Sequence, residues 1–322
     1  MMAIQTFVIV GAGLAGAKAA ETLRDEGFDG RVVLVGAEPE RPYERPPLSK
    51  EYLRGEADAK PYVHSEGFYA ERDIELRTAC TVARIDVAAS RVSLADGETL
   101  GFDRLLLATG AHARRLPLPG GDLDGVLSLR TIADSEALGA RLVDGARLVT
   151  IGAGWIGCEV AASARQRGCE VTILEMAALP LERVLGPELG AFYRDVHTDH
   201  GVRFLGDVGG IEAIEGERNV TAVRLADGRR VEADIVVVGV GAAPRTALAE
   251  AAGLAVGDGV LVDEHLRTGA PAVFAAGDVA CARHPLFDAH LRVEHWANAL
   301  HQGPAAARAM LGRDEPYDHV PY

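Results

Sequence analysis

The stretch GAGWIGCE at 152–159 is a glycine turn that runs into a carboxylate, Glu159, and it follows the apolar segment RLVTI. A turn of the same kind, GAGLAG at 11–16, follows TFVIV near the start of the chain. In a G-x-G-x-x-G turn the first glycine permits the bend and the second lets backbone N–H groups approach a pyrophosphate. The third lets the new helix pack on its strand, and the helix N-terminus turns its positive dipole end to the phosphate. Gly11, Gly13 and Gly16 fill these positions in the first copy, with Leu14 and Ala15 between them; Gly152, Gly154 and Gly157 fill them in the second, with Ile156 between. One copy is weak, because glycines also mark ordinary tight turns. Two complete copies, each with strand, helix and terminal acid, point to two dinucleotide cradles in one chain.

Those acids are Glu38, 27 residues after Gly11, and Glu175, 23 after Gly152. Both are near the spacing of about 20 at which a carboxylate meets a ribose 2′-hydroxyl. A carboxylate at 175 repels a 2′-phosphate, and the residues after it are MAALP rather than an arginine pair, so the second cradle is expected to prefer NADH over NADPH; Arg183 is the arginine that could oppose this.

The elements that must hold these turns are legible. Each cradle reads as strand, turn, amphipathic helix and strand, ending in Glu38 and Glu175. After the first comes an alternating stretch with a D-G turn signal, ARIDVAASRVSLADGETL, and then the apolar run DRLLLATG, a β-meander returning to a parallel strand; VTAVRLADGRRVEADIVVVGVG at 220–241 repeats that plan. The repeat lies 141 residues away, too far for a solenoid, and indicates two doubly wound α/β domains of related design, each with an appended antiparallel meander. Crossings are expected near GAHARRLPLPGG and GAAPRT. This makes a discontinuous first domain, 1–112 and 245–322, with the second, 113–244, inserted. The segment HWANALHQGPAAARAML reads as a helix weakened at its centre by Gly303 and Pro304.

Composition narrows the function. With 322 residues the chain exceeds the roughly 250–300 at which a single core stops growing. A net charge of −14 argues against nucleic acid or an anionic membrane surface, which require a basic face. The longest apolar run, IVVVGVGAA, is less than half of the about 20 residues a membrane helix needs, and no charged leader precedes an apolar segment. The expectation is a cytoplasmic protein that does not enter a membrane. Cys80, Cys158, Cys169 and Cys281 form no C-x-x-C pair and read as small apolar side chains; His284, His290, His295 and His301 fit no ligand pattern, so no metal is expected.

At this level the chain resembles the FAD-dependent pyridine nucleotide oxidoreductases, and among them the ferredoxin and rubredoxin reductases that serve oxygenases. The resemblance rests on GAGLAG, YERPPLSKEYL at 43–53, LLLATG at 105–110, GAGWIGCE, VGVGAAP at 238–244, AAGDVA at 275–280 and VEHWANAL at 293–300. RPPLSK discriminates best: disulfide-reducing relatives carry redox cysteines at this helix start, whereas no residue from 1 to 79 is cysteine. The resemblance implies that the Ala15 turn, Glu38, Arg45, Lys50, Val82, Arg130, Asp278 and Trp296 line FAD, and that Gly152, Gly154, Ile156, Gly157, Glu175 and Gly241 serve NAD. It also implies a functional pair beside the flavin, Lys50 and Glu159, since a buried lysine keeps its charge beside a carboxylate.

The activity implied is hydride transfer from NADH to FAD, followed by single-electron delivery to a [2Fe–2S] ferredoxin or a rubredoxin that serves a cytochrome P450 or dioxygenase. An NADH oxidase or nitrite-reductase flavin subunit, or a redox-switched signalling flavoprotein, are the alternatives on the same frame. Relatives usually continue into a third, C-terminal interface domain that contributes to a homodimer, and the expectation is that this domain is absent from the present sequence. Arg245 stands where relatives often have asparagine.

Overall fold

A computed structural model gives the structure of residues 4–320. It separates into two compact units. One comprises the chain up to Glu44, Tyr62–His112 and the chain from Pro244 onward; the other comprises Arg45–Pro61 and Ala113–Ala243.

The first unit is built on a five-stranded parallel sheet in the order Val273–Ala275, Arg104–Leu107, Thr6–Val10, Arg31–Val35, Ile74–Arg77. Its inner strands are near-continuous apolar runs because a parallel sheet is buried on both faces: Val8, Ile9, Val32, Val33, Leu34, Leu105 and Leu106 are fully buried. The helix Leu14–Asp25 buries Ala15, Ala19, Ala20 and Leu23, one face at helical spacing. An antiparallel meander, Val82–Asp86, Arg91–Leu94 and Thr99–Gly101, precedes the return strand.

The second unit repeats the arrangement in the order Arg203–Leu205, Glu170–Leu174, Arg147–Ile151, Ile235–Val238, Val126–Leu127, all parallel. Its meander has three strands, Ile211–Gly216, Val220–Leu225 and Arg230–Glu232. The first of these was not expected from sequence. IEAIEG carries two glutamates, and its register against the next strand is interrupted twice, so it lacks a clean alternating pattern.

Two further differences have physical reasons. The segment 45–61, expected within the first domain, clusters with the second unit. Ser135 Oγ donates to the Leu48 carbonyl at 2.8 Å, Ser163 Oγ to the Ser49 carbonyl at 2.7 Å and Arg167 Nη1 to the Leu53 carbonyl at 3.2 Å. Trp296–Met310 is one continuous helix despite Gly303 and Pro304. A Cβ at Gly303 would lie 2.4 Å from the Ala15 carbonyl oxygen, so this glycine is where two helices touch rather than where one stops. The Gly186–Pro187 pair does the opposite: Gly186 takes φ 80° and breaks the helix Glu182–Asp199.

Candidate functional site

Both glycine turns have the shape a pyrophosphate requires. In the first unit Gly11 takes φ 118°, and a Cβ there would sit 2.0 Å from the Ala108 carbonyl oxygen; a Cβ at Gly16 would sit 2.0 Å from the carbonyl oxygen of Gly11. At Gly13 a Cβ would meet nothing within 4 Å, and no side chain caps the helix that begins at Leu14. Two glycines are thus demanded by the protein's own packing, while the middle one faces open space beside uncapped N–H groups. The second unit matches point for point. Gly152 takes φ 100° and its Cβ would fall 2.6 Å from the Gly239 carbonyl oxygen; Gly157 would meet Gly152 at 2.0 Å, and Gly154 again meets nothing. Neither first turn carries an acidic residue, so no carboxylate in those turns opposes a phosphate; Glu159 follows one turn into the second helix.

The terminal acids are held differently. Glu38 accepts from the Tyr43 hydroxyl at 2.5 Å. Glu175 braces its own cradle: one carboxylate oxygen accepts from Ala153 N–H, inside the glycine turn, at 2.6 Å, and the other from Ala177 N–H at 3.0 Å.

Around the first cradle the structure gathers several expected residues. Gly277 would place a Cβ 3.1 Å from that of Ala15, so the turn Gly277–Val279 holding Asp278 abuts the first helical turn. Ala79 N–H donates to the Glu38 carbonyl and Cys80 N–H to the Gly36 carbonyl, each at 2.8 Å, which brings the approach to Val82 alongside the acid. Trp296 opens its helix 39 % exposed, and His295 caps that helix by accepting from Ala297 N–H at 3.2 Å. Gln302 was not anticipated: its side-chain oxygen, buried, accepts from Gly277 N–H at 2.8 Å and ties the Asp278 turn to the last helix. An amide beside Gly303 carries no signal for this in sequence.

Arg45, Lys50 and Arg130 lie in the second unit. There Arg45 donates to the Arg130 carbonyl. Lys50 Nζ is 2.8 Å from Glu159 Oε2, and the two side chains are 40 % and 28 % exposed, so the pair is half open to solvent rather than buried as expected. The same Glu159 oxygen accepts from Ser49 Oγ at 2.5 Å. Ile156 is 40 % exposed in the second cradle's first turn, Trp155 beside it 47 % and Met176, just past Glu175, 67 %. Gly241 takes φ 98° and its carbonyl accepts from Arg114 N–H at 3.0 Å. The four cysteines are unpaired, with Cys158, Cys169 and Cys281 buried; burial pushes the Cys158 thiol up to about 12, far from a reactive thiolate. Among the described residues no helix is long and apolar enough to cross a membrane.

Comparison with known proteins agrees with this geometry. The family model described as pyridine nucleotide-disulphide oxidoreductase matches residues 5–303. The chain is 44 % identical over 319 residues to the biphenyl dioxygenase system ferredoxin–NAD(+) reductase component of Paraburkholderia xenovorans (strain LB400), covering 99 % of this chain and 78 % of the relative. Among solved structures, the ferredoxin reductase for the CYP199A2 system from Rhodopseudomonas palustris superimposes with a TM-score of 0.94 at 38 % identity, over 98 % of this chain and 78 % of that one. Putidaredoxin reductase, in its covalent complex with putidaredoxin, gives a TM-score of 0.92 at 40 % identity, over 97 % and 77 %. With its two glycine cradles, its doubly wound sheets and these relatives, the chain belongs to the pyridine nucleotide-disulphide oxidoreductase family, and its likeness within that family is to the ferredoxin–NAD(+) reductases.

Proposed function

We propose that this protein is an NADH-dependent flavoprotein reductase that holds FAD in the first cradle, receives NADH in the second, and passes electrons to a [2Fe–2S] ferredoxin or a rubredoxin feeding an oxygenase. The observation that carries the reading is the Lys50–Glu159 pair: an ion pair between RPPLSK, which holds no cysteine, and the second cradle's helix, whose one thiol, Cys158, is buried and pushed up to about 12.

The residues present fit FAD. Gly13 is open where a phosphate would lie, Glu38 is placed for a ribose hydroxyl, and Asp278 is held against the first helical turn by the Gln302 bond to Gly277. When bound, the flavin supplies an acceptor for two electrons from a nicotinamide and a donor of one electron at a time. The rest is position and field. Gly154 and the uncapped N–H groups after it take the NADH pyrophosphate. Glu175, fixed by two backbone amides, accepts from the ribose and excludes a 2′-phosphate. Lys50 and Glu159 set a fixed dipole against the nicotinamide, so that binding energy is spent on orientation. No residue is required to move a proton.

The test is an anaerobic titration of the purified protein, first with NADH and then with NADPH, followed by its visible spectrum. Bound flavin bleached by stoichiometric NADH, and far less readily by NADPH, is the expected result. A protein that takes up no flavin would sink the proposal. Analytical ultracentrifugation, alone and with an acidic [2Fe–2S] ferredoxin, separates the homodimer and the carrier complex that the resemblance implies.

A further inference from the structure

The turn Pro46–Ser49 is tied by several side-chain hydrogen bonds, and one of them reaches a charged group. Ser135 and Ser163 anchor its carbonyls at Leu48 and Ser49. Ser49 is 2 % exposed, and its hydroxyl could have been satisfied locally, since the Pro46 carbonyl is 3.4 Å away. Its proton instead goes to Glu159 Oε2 at 2.5 Å. That oxygen is also the one 2.8 Å from Lys50 Nζ, and Lys50 Nζ lies 3.5 Å from Ser49 Oγ and 3.1 Å from the Pro46 carbonyl. Two donors therefore close on one oxygen of Glu159, whose side chain is 28 % exposed: a buried hydroxyl and the ammonium of Lys50, whose side chain is 40 % exposed.

An ion pair this open holds its geometry weakly on its own, because water competes and both side chains are long. A hydroxyl donating to an ionised oxygen is a charge-assisted bond, shorter and stronger than a neutral one, and here its donor is locked by backbone anchoring on both sides. The structure assigns Ser49 as a positioning residue: its hydroxyl fixes the Glu159 oxygen that Lys50 shares, and thereby fixes where the ammonium stands for the nicotinamide. This rests on the role proposed above for the Lys50–Glu159 pair. Ser49 itself makes no contact with reacting atoms in this assignment. It works only through the pair.

The composition makes this directly observable, because lysine occurs only at 18, 50 and 60. In the flavin-loaded protein carrying lysine labelled with carbon-13 at Cε alone, three ε-methylene signals are expected, each assignable by substitution. In Ser49→Ala the Lys50 signal should narrow and move toward that of a mobile lysine, while those of Lys18 and Lys60 stay in place. In stopped-flow reduction by NADH the limiting rate should fall roughly tenfold with the NADH saturation constant little changed, less than the about hundredfold that a full ångström of misplacement costs. Ser49→Thr, which keeps the hydroxyl, should restore both readouts. Ser163→Ala removes one anchor of the same turn but leaves the hydroxyl and Glu159 in place, and should move the Lys50 signal by less than half as much as Ser49→Ala does. A Ser49→Ala protein with an unaltered Lys50 signal, or a Ser163→Ala protein with half that change or more, would overturn the assignment. Lys50→Met distinguishes this from failure of the underlying reading: an unchanged reduction rate there removes the pair's role, whatever Ser49 does to the lysine signal.

Discussion

The two units are the same device built twice, and they differ most in what surrounds the glycine turn. In the first, Ala15 is buried under two elements of its own unit, the Gly277–Val279 turn and the helix Trp296–Met310, which touch it closely enough that Gly303 has no room for a Cβ and Gly277 only a tight one. In the second, the equivalent positions Trp155 and Ile156 are open, and Met176 beside Glu175 is more so. A cradle enclosed by a C-terminal helix of its own unit suits a resident group that does not leave. One bordered by exposed apolar side chains suits a ligand that comes and goes, since covering Trp155, Ile156 and Met176 on binding recovers apolar area at each visit. The acids follow the same division: Glu38 is held by a side chain, Glu175 by the backbone of the turn it serves.

The sharpest way to break this comparison is to spoil each cradle in turn. In Gly16→Ala and Gly157→Ala the new methyl lies 2.0 Å from the carbonyl oxygen of Gly11 and Gly152 respectively, so strand and helix must part. Overpacking of this kind costs about 1–3 kcal/mol and displaces the phosphate-facing amides. Gly16→Ala should emerge without flavin colour. Gly157→Ala should keep its flavin but need at least about a hundredfold more NADH for the same rate of bleaching. If both variants lose flavin, or both keep it and are reduced normally, the assignment of one resident and one visitor falls.

How much of this was visible in the sequence depends on the range of the cause. The glycine turns and their acids were, because a positive φ at Gly11 and Gly152 and the carbonyl contact at Gly16 and Gly157 restrict residue type at fixed short spacing. The Lys50–Glu159 pair came only through family resemblance. Ser49 lies inside RPPLSK but its role is not legible there, since its partner is 110 residues away and a serine hydroxyl has no pattern that names a distant carboxylate. The allegiance of 45–61 was likewise hidden: it is decided by tertiary hydrogen bonds from Ser135, Ser163 and Arg167. Gly-Pro shows the limit of local rules. At 186–187 it breaks a helix, and at 303–304 it lies inside one, because there the glycine lets Ala15 approach.

A second prediction sharpens the division at the acids. Removing the carboxylate in Glu175→Ala should lower the preference for NADH over NADPH, measured as the ratio of kcat/KM values, by tenfold or more, equivalent to about 1.4 kcal/mol. Part of the change is repulsion removed, and part is the turn losing the brace on Ala153 N–H. Tyr43→Phe in the first unit, which unties Glu38 without removing it, should leave that ratio as in the parent. A ratio unmoved in Glu175→Ala would mean that specificity resides elsewhere, with Arg183 the next residue to change.

The smallest effect belongs to a pair of aspartates that the duplication places at equal positions. Asp103, just before the return strand of the first sheet, accepts from Thr6 N–H at 2.7 Å; Asp234, just before that of the second, accepts from Arg147 N–H at 3.0 Å. Only the second adds a guanidinium: Arg147 Nη2 reaches the other carboxylate oxygen of Asp234 at 2.7 Å. The Arg147 side chain, followed by its backbone N–H, holds the Asp234 carboxyl below the usual carboxylate range. A folded-state value below the unfolded one, about 3.9 for aspartate, gives stability that is fully present above that pH and is lost as the pH falls through the folded value. Asp234 is 47 % and Arg147 38 % exposed, so solvent screening limits the ion pair to roughly 0.5 kcal/mol. Urea unfolding of Asp234→Asn should therefore show a loss of about that size at pH 7, shrinking toward zero below about pH 4. A loss equally large at pH 3 would mean that the backbone bond, common to both sheets, carries the whole contribution and that the guanidinium adds nothing.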